Sequence, residues 1–217
     1  MRQRRLPVGT ASHGGRGPGL SPDLASLYPL QWFRNRTKSA RGPHKSSRYL
    51  ADLIYGEFSP RRVIDLGAGT CAFANRIAEL GGKVVAVEGS EFCQEFAIPP
   101  TRFIAHDLCQ PLLLRGRFDL VTSWDVIEHI PAVAEATVVE TIVRLAGKWV
   151  VVSIDASRWG RHHVNCHSKG YWRERFENAG LRYSLEKTRG LAQKILAHPL
   201  ITSKWYGRNL LVFEASL

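Results

Sequence analysis

The sequence predicts an α/β fold in which a doubly wound, mainly parallel sheet carries helices on both faces. Three observations predict it. Short apolar runs typical of buried strands recur along the chain, they alternate with longer segments of helical periodicity, and a glycine turn directly follows the first run. With 217 residues the chain can bury one substantial core, so we expect a single globular domain.

Each strand is predicted from a short apolar run, at residues 62–66, 83–87, 102–105, 118–123, 149–154, 182–187 and 209–215. The helices between them are predicted at 46–55, 71–81, 91–96, 132–146 and 168–179, with one further turn at 190–197. Gly81 and Gly82 end the helix at 71–81 in the way that is usual for glycine. Ahead of these elements, residues 24–36 contain enough apolar side chains for a short helix or a flap, although Pro29 interrupts it.

The positive charge of the chain is concentrated at its start. Residues 1–48 contain ten Lys/Arg and one acid, a net charge of +9, whereas residues 49–217 contain 20 Lys/Arg and 18 acids, a net charge of +2. We therefore predict a basic, largely disordered leader at residues 1–44 and a globular domain at 45–217. The leader could hold the phosphates of a nucleic acid or remain a solvated tail, and composition leaves both open.

The sequence shows no sign of a membrane-bound or secreted protein. No apolar run reaches the roughly 18–20 residues of a membrane-spanning helix. The basic start of the chain is followed by glycine and polar residues rather than by an apolar block. The four cysteines form no C-x-x-C pair, which favours reduced thiols. We expect a cytoplasmic protein.

The most informative segment lies at residues 63–72. An apolar strand carries Asp65 near its end, the turn at 67–69 brings backbone close to a ligand, and a helix then begins with its N–H groups facing that ligand. Glu88 closes the next apolar run, 21 positions after the turn begins, where an acid can bind two ribose hydroxyls. The spacing also satisfies the dinucleotide fingerprint formally, so a nicotinamide cofactor stays an alternative at this point.

This pattern resembles the class I, Rossmann-like S-adenosylmethionine-dependent methyltransferases. Their signature is acid-x-Gly-x-Gly after the first strand and an acid after the second. The run His-Asp-Leu at 106–108 and the segment 118–131 at the fourth strand are similar to further motifs of that family, in the expected order. The resemblance covers residues 45–217, and the part from Asn165 onward is similar to one bacterial and viral branch.

The resemblance implies a strand order and a cofactor. The seven strands would follow the order 3-2-1-4-5-7-6 with the last strand antiparallel, and the cofactor would be S-adenosyl-L-methionine. The family holds the methionine half at the glycine turn, the ribose by an acid and the adenine after the third strand. The resemblance assigns these tasks to Asp65, Gly67, Ala68, Gly69, Glu88, Asp107 and Leu108. We add Trp124, which lies at the end of the fourth strand.

Two side chains near the fourth strand are the catalytic candidates. Methyl transfer from a sulfonium depends mainly on alignment and a dry pocket, and a base is needed only when the acceptor keeps its proton. Asp125 follows the strand, where it could contact a ligand or merely cap the helix predicted there. His129 lies four residues later on the same face of that helix and is our candidate base, with a buried structural histidine as the alternative.

A dense run of histidines follows the fifth strand, at residues 162–167. These side chains are too crowded for one tetrahedral zinc site, and we predict no bound metal. Because this end of the strand adjoins the predicted cleft, we expect His163, Asn165 and Trp172 to face the substrate.

The acceptor is less well determined than the cofactor. We expect a hydroxyl or amine on a small molecule or a glycan. Alternatively, Lys45 and Asp125 match the first two members of the Lys-Asp-Lys-Glu tetrad of RNA ribose 2′-O-methyltransferases, with RNA held by residues 1–48. The second lysine of that tetrad is missing from residues 153–158. A cofactor-binding interaction module without turnover is a third interpretation.

Overall fold

The structure, a computed structural model, describes residues 27–39 and 41–215, so most of the predicted leader lies outside the described residues. One sheet contains the strands β1 (Arg62–Leu66), β2 (Lys83–Glu88), β3 (Arg102–Ala105), β4 (Phe118–Trp124), β5 (Ala146–Ser153), β6 (Leu181–Tyr183) and β7 (Leu210–Ala215). Their order is β3-β2-β1-β4-β5-β7-β6. Neighbouring strands are parallel except at β7, which runs antiparallel to β5 and β6. The predicted fold class is confirmed.

Helices connect the strands and cover both faces of the sheet. They are α1 (Leu30–Lys38), α2 (Pro43–Phe58), α3 (Ala72–Glu79), α4 (Glu135–Leu145), α5 (Lys169–Asn178), α6 (Leu185–Ala197) and α7 (Trp205–Arg208). Short 3-10 helices lie at Glu91–Phe96, Ile127–His129 and Ala132–Ala134. Within the part of the chain that the structure describes, no helix combines the length and the apolar character needed to cross a membrane.

Two apolar clusters fill the space between the sheet and its helices. On one face, Val150 and Val152 belong to a cluster that includes Ile142 of α4 and Phe176 of α5. On the other face, Val151 belongs to a cluster with residues of α2, α3 and α6. Because successive strand residues point to opposite faces, the continuous apolar run of β5 reflects a strand that is covered on both sides.

The C-terminal part differs from the prediction at one strand and one helix. The strand predicted at 182–187 is only β6, which has three residues, and the turn predicted at 190–197 is a full helix that begins at Leu185. The apolar positions between β6 and β7 repeat at helical spacing and not at the alternation of a strand. The buried side chains on the inner face of α6 are Thr188, Leu191 and Ile195.

The described residues before the sheet include the helices α1 and α2, and α1 packs beside the residues that follow β2. α1 begins after Pro29 and buries Phe33, whose ring lies 6.4 Å from that of Phe96. Arg34 donates two hydrogen bonds to the carboxylate of Glu95, each 2.9 Å long. These contacts hold α1, which covers the part of the segment considered at 24–36 that follows Pro29; residues 24–26 lie outside the described residues.

Candidate active site

The glycine turn between β1 and α3 is enclosed by its neighbours. Gly67 has φ +80°, and a Cβ at this position would lie 2.2 Å from the side chain of Val126, so the turn requires glycine. The backbone N–H groups of Gly67 and Ala68 both donate to the carbonyl of Val87, at 2.8 and 2.9 Å. The turn is therefore fixed to the end of β2 on one side and to the segment after β4 on the other.

Glu88 ends β2 and faces the same turn. Its carboxylate accepts hydrogen bonds from the backbone N–H groups of Gly69 (2.8 Å) and Ser90 (3.2 Å). Burial raises the pKa of Glu88, and the backbone donors partly counteract that rise. The structure thus brings the acid after the second strand into direct contact with the turn after the first.

Asp65 lies inside the sheet near the end of β1 and is only 2% exposed. Its Oδ1 accepts a hydrogen bond of 2.8 Å from the hydroxyl of Thr122 on β4. Burial raises the pKa of Asp65 to about 7, the Thr122 hydroxyl opposes the rise, and the charge of Glu88 adds to it. Near neutral pH this carboxyl group can therefore donate a hydrogen bond as well as accept one.

Three further residues predicted to bind the cofactor lie after β3 and at the end of β4. Asp107 accepts a hydrogen bond from the backbone N–H of Cys109 (2.9 Å), which shapes the loop after β3, and Leu108 is buried in the core. Trp124 packs between Phe73 and a tyrosine of α7, with ring centroids 5.4 and 5.8 Å apart. Its indole is therefore part of the wall behind the glycine turn.

Asp125 follows β4 in a left-handed backbone conformation, with φ +54°. Its carboxylate accepts hydrogen bonds from the Ser153 hydroxyl at the end of β5 (2.8 Å) and from the indole N–H of Trp205 in α7. The 3-10 helix at Ile127–His129 has no side-chain cap, so the helix-cap interpretation of Asp125 is wrong. Burial raises the pKa of Asp125 to about 7, and its two donors partly counteract the rise.

His129 follows Asp125 but does not share a helical face with it, because residues 127–129 form a 3-10 turn and not an α-helix. Its Nδ1 lies 3.1 Å from the carbonyl oxygen of His162 and 3.2 Å from the hydroxyl of Tyr28. The ring of His163 stands edge-on to it at 4.7 Å. Burial lowers the pKa of His129 to about 4, so the imidazole is neutral at neutral pH.

Only one of the three side chains predicted to face the substrate beyond β5 reaches this site. His163 packs against the imidazole of His129, whereas Asn165 and Trp172 point into the core. The amide of Asn165 donates to the buried carboxylate of Glu135 (3.0 Å), and Trp172 is 0% exposed. The prediction that these two residues face the substrate is wrong in this structure, because α5 buries its apolar side against α4 and the sheet.

Lys45 lies exposed on α2, and no hydrogen bond or ion pair among the described residues joins it to Asp125. The residue before it points inward instead. Nδ1 of His44 lies 2.8 Å from the hydroxyl of Thr70, directly after the glycine turn, and burial lowers the pKa of this histidine. The pair expected for an RNA ribose methyltransferase is therefore not formed in the described part of the chain.

Three partners of the site escaped sequence reasoning: Tyr28, Ser153 and Trp205. Ser153 could have been found, because it ends β5 and the predicted order places β5 beside β4. Tyr28 precedes all the strands and Trp205 belongs to a short helix between α6 and β7. Nothing in the local spacing of either residue indicates a contact with His129 or Asp125.

Comparison with known proteins identifies a family. The sequence model of the methyltransferase domain matches residues 39–190, more than half of the chain. The fold is similar to a TehB-like SAM-dependent methyltransferase from Corynebacterium glutamicum, with 19% identity, 90% of this chain and 100% of that chain covered, and a TM-score of 0.64. Among the curated protein sequences, none matches this chain.

Two further solved structures contain the cofactor of their enzymes. One is magnesium protoporphyrin IX methyltransferase from Synechocystis with bound SAM, at 19% identity and a TM-score of 0.56, with 94% of this chain and 87% of that chain covered. The other is human N-acetylserotonin methyltransferase in complex with SAM, at 16% identity and a TM-score of 0.58, with 90% of this chain and 59% of that chain covered.

Proposed function

This chain belongs to the methyltransferase domain family and its cofactor is S-adenosyl-L-methionine; on that premise we propose that it methylates a hydroxyl or amine of a small molecule. When bound, the cofactor supplies an activated methyl group on a sulfonium. The protein's part is then to bind, to orient and to exclude water. We assign these tasks to two neighbouring groups of residues at the carboxyl ends of β1, β2, β4 and β5.

We call the first group the cofactor half and define it by Asp65, Gly67, Gly69 and Glu88. These residues fit the cofactor. Oε2 of Glu88 accepts from Gly69 of the glycine turn at 2.8 Å and Oε1 accepts from Ser90 at 3.2 Å, an arrangement suited to the two hydroxyls of a ribose. At Gly67 a side chain would fill the turn, since its Cβ would meet Val126. Asp107, with Leu108, remains our proposed contact for the adenine.

We call the second group the acceptor half and define it by Tyr28, Asp125, His129, His163 and Trp205. Asp125 is held by donors from β5 and α7, which leaves it as a hydrogen-bond acceptor of fixed position beside the transferred methyl group. Nδ1 of His129 faces the carbonyl of His162, so Nε2 carries the free lone pair. We propose that this lone pair accepts the proton of the acceptor group.

The observation that favours a small acceptor is the way in which Tyr28 closes this half. Its ring stands edge-on to His129 at 6.2 Å and to His162 at 5.6 Å, and its hydroxyl reaches Nδ1 of His129. A residue that precedes α1 thus lies over the histidines, which restricts the space for a polymer. The two SAM-bound relatives act on magnesium protoporphyrin IX and N-acetylserotonin, both small molecules.

Three parts of this proposal concern the whole chain. We propose a division into a basic leader at 1–44 and a methyltransferase domain at 45–217, with α1 as a contact between them. We propose a cytoplasmic location, because all four cysteines are free thiols. A glycan acceptor belongs to the same proposal. RNA held by residues 1–48 is the competing acceptor, and binding without turnover is the competing role.

The test is a screen for the acceptor with S-adenosylmethionine that carries a radiolabelled methyl group. Purified full-length chain is incubated separately with small-metabolite, saccharide and RNA fractions, and the label in each is counted. We expect label in the small-metabolite or saccharide fraction. Label in RNA alone, lost together with salt-sensitive RNA binding when residues 1–26 are deleted, would contradict the proposal. Cofactor binding without label in any fraction would favour the non-catalytic role.

A further inference from the structure

Two histidines of the acceptor half lie close to a buried glutamate that neighbours it in sequence. Glu128 and His129 come from the 3-10 helix after β4, and His163 comes from the loop after β5. One potential ligand atom of each lies within 4.8 Å of those of the other two. The backbone holds the two segments together, because the carbonyl oxygen of Glu128 accepts from the N–H groups of Val164 (2.9 Å) and Asn165 (3.0 Å).

Both imidazoles are oriented by backbone carbonyls. Nδ1 of His163 lies 2.7 Å from the carbonyl oxygen of Ser157, and Nδ1 of His129 lies 3.1 Å from that of His162. A carbonyl oxygen can only accept, so each Nδ1 carries the hydrogen and each Nε2 keeps its lone pair. Histidines that bind metals are commonly fixed in this way by a partner on the other ring nitrogen.

Glu128 contributes a buried carboxylate that lacks a full set of partners. The side chain is 0% exposed; its Oε1 accepts from the backbone N–H of Asp155 (3.0 Å), and its Oε2 has no hydrogen-bond partner in the described part of the chain. Among the described residues, no ion pair involves Glu128. A buried carboxylate oxygen without a partner is costly, and a cation would satisfy it.

The loop after β5 leaves room for His163. A Cβ at Gly160 would lie 2.0 Å from the imidazole ring of His163. The backbone of Gly160 does not require glycine, since its φ lies outside the left-handed region. The absence of a side chain at this position therefore serves the placement of the imidazole rather than the turn itself.

From this geometry we infer that Glu128, His129 and His163 form a binding site for a divalent transition-metal ion of the Zn²⁺ type. Two neutral imidazoles and one carboxylate are a donor set that suits Zn²⁺ and its neighbours, whereas Mg²⁺ and Ca²⁺ prefer oxygen ligands. Ligand atoms on tetrahedral zinc lie about 3.4 Å apart at bond lengths near 2.0–2.1 Å. Small side-chain rotations would therefore bring the three ligand atoms to the separation that the ion requires.

Three protein ligands leave the fourth position of a tetrahedral ion open. If the proposed methyl transfer takes place here, that position is available to the acceptor oxygen or nitrogen, which the ion would polarise. The lone pair of His129 would then bind the ion, and the proton of the acceptor would pass to solvent water instead of to this imidazole. This inference differs from the prediction of no bound metal, which was based on the crowded run at 162–167, whereas two of these ligands lie before β5.

The test titrates the chelator-treated, full-length chain with Zn²⁺ in a calorimeter and with Co²⁺ in a spectrophotometer. We expect one ion per chain and visible Co²⁺ absorption of a low-coordinate site. His163→Ala and Glu128→Gln should each weaken the binding of Zn²⁺ at least tenfold, and Gly160→Ala should weaken it by displacing the imidazole. His198→Ala, a histidine on another surface, is the matched control and should bind normally.

Two measurements keep this inference separate from the proposed function. The affinity for S-adenosylhomocysteine is measured on the same samples. If the unmodified chain bound Zn²⁺ but not S-adenosylhomocysteine, the proposed methyltransferase function would fail while the ion site would stand. Thermal unfolding identifies any variant that fails to fold, in which case the Gly160→Ala result decides. Absence of Zn²⁺ binding in the unmodified chain, or equal affinity in His163→Ala and His198→Ala, would overturn the inference.

Discussion

The cofactor half and the acceptor half lie side by side at one edge of the sheet, yet they are assembled from very different lengths of chain. The cofactor half comes from one strand-turn-helix unit and the strand after it, over residues 65–88. The acceptor half draws on residues from Tyr28 to Trp205 and depends on α1, β4, β5 and α7. One half is local in sequence, and the other exists only once the chain has folded.

The contacts inside the two halves differ as well. In the cofactor half, backbone N–H groups make the decisive hydrogen bonds, from Gly67 and Ala68 to Val87 and from Gly69 to Glu88. In the acceptor half, every such hydrogen bond has a functional side chain on at least one end: the carboxylate of Asp125 accepts from two other side chains, and Nδ1 of His129 contacts a hydroxyl and a backbone carbonyl. Backbone contacts constrain the shape of a site whatever the neighbouring residues are, whereas side-chain contacts change with every substitution. The difference suits a fixed cofactor on one side and a variable acceptor on the other.

The largest expected effect is at the glycine turn. Gly67→Asp introduces a side chain where even a Cβ would lie 2.2 Å from Val126, and it places a carboxylate beside Glu88. We expect the affinity for S-adenosylhomocysteine, measured by calorimetry, to fall below detection. Gly190→Asp is the control, because a Cβ at Gly190 would meet nothing within 4 Å. Equal affinity in both variants would contradict the assignment of the turn to the cofactor.

The second effect concerns pH. The pKa of Asp65 is about 7 in the folded chain, against an ordinary value of 3.8. Between these values the unfolded chain releases a proton that the folded chain keeps, so the free energy of unfolding falls as the pH rises through this window. Three pKa units correspond to at most about 4 kcal/mol. Above pH 7 both states are ionised, and this contribution to the pH dependence ends.

Asp65→Asn should remove this part of the pH dependence while still accepting the hydrogen bond from Thr122. The measurement is denaturant unfolding at several pH values between 4 and 8. Glu174→Gln, an exposed acid on α5, provides the control and should keep the slope of the unmodified chain. Parallel curves for the unmodified chain and Asp65→Asn would show that Asp65 ionises normally.

The same contrast between local and distant residues explains what the sequence could predict. The strand order followed from the family resemblance, and the position of the turn close to Glu88 followed from motifs in which neighbouring residues carry the signal. The acceptor half was predicted only in part. His129 was selected for an α-helical face that the 3-10 turn does not provide, and Trp172 was assigned to the substrate although α5 packs it into the core.

These errors share a physical cause. A pattern of apolar residues reports which side chains are buried but not which neighbour buries them, and this neighbour decides whether a histidine or tryptophan faces a cavity or the core. Sequence separation also hid Tyr28, which lies ahead of the predicted domain. Glu128 lies within the family-like segment 118–131 but received no role of its own.

The third effect tests the acceptor half. His129→Ala removes the lone pair next to the acceptor, and we expect kcat to fall by about 100-fold or more. The affinity for S-adenosylhomocysteine should stay within about twofold, because no described hydrogen bond joins His129 to the cofactor half. Steady-state kinetics and calorimetry on the same preparation give both values. A loss of cofactor affinity as large as the loss in kcat would mean that the two halves are not separate.

The smallest effect is expected from Tyr28→Phe. The ring that closes the acceptor half is kept, and only the hydroxyl at 3.2 Å from Nδ1 of His129 is lost. Since that nitrogen still donates to the carbonyl of His162, its tautomer is retained, and we expect kcat/KM to change by no more than about threefold. Tyr28→Ala also removes the ring and should raise the KM for the acceptor much more. If both variants behaved alike, the ring would not be what closes the site, and the argument for a small acceptor from ring closure would fail.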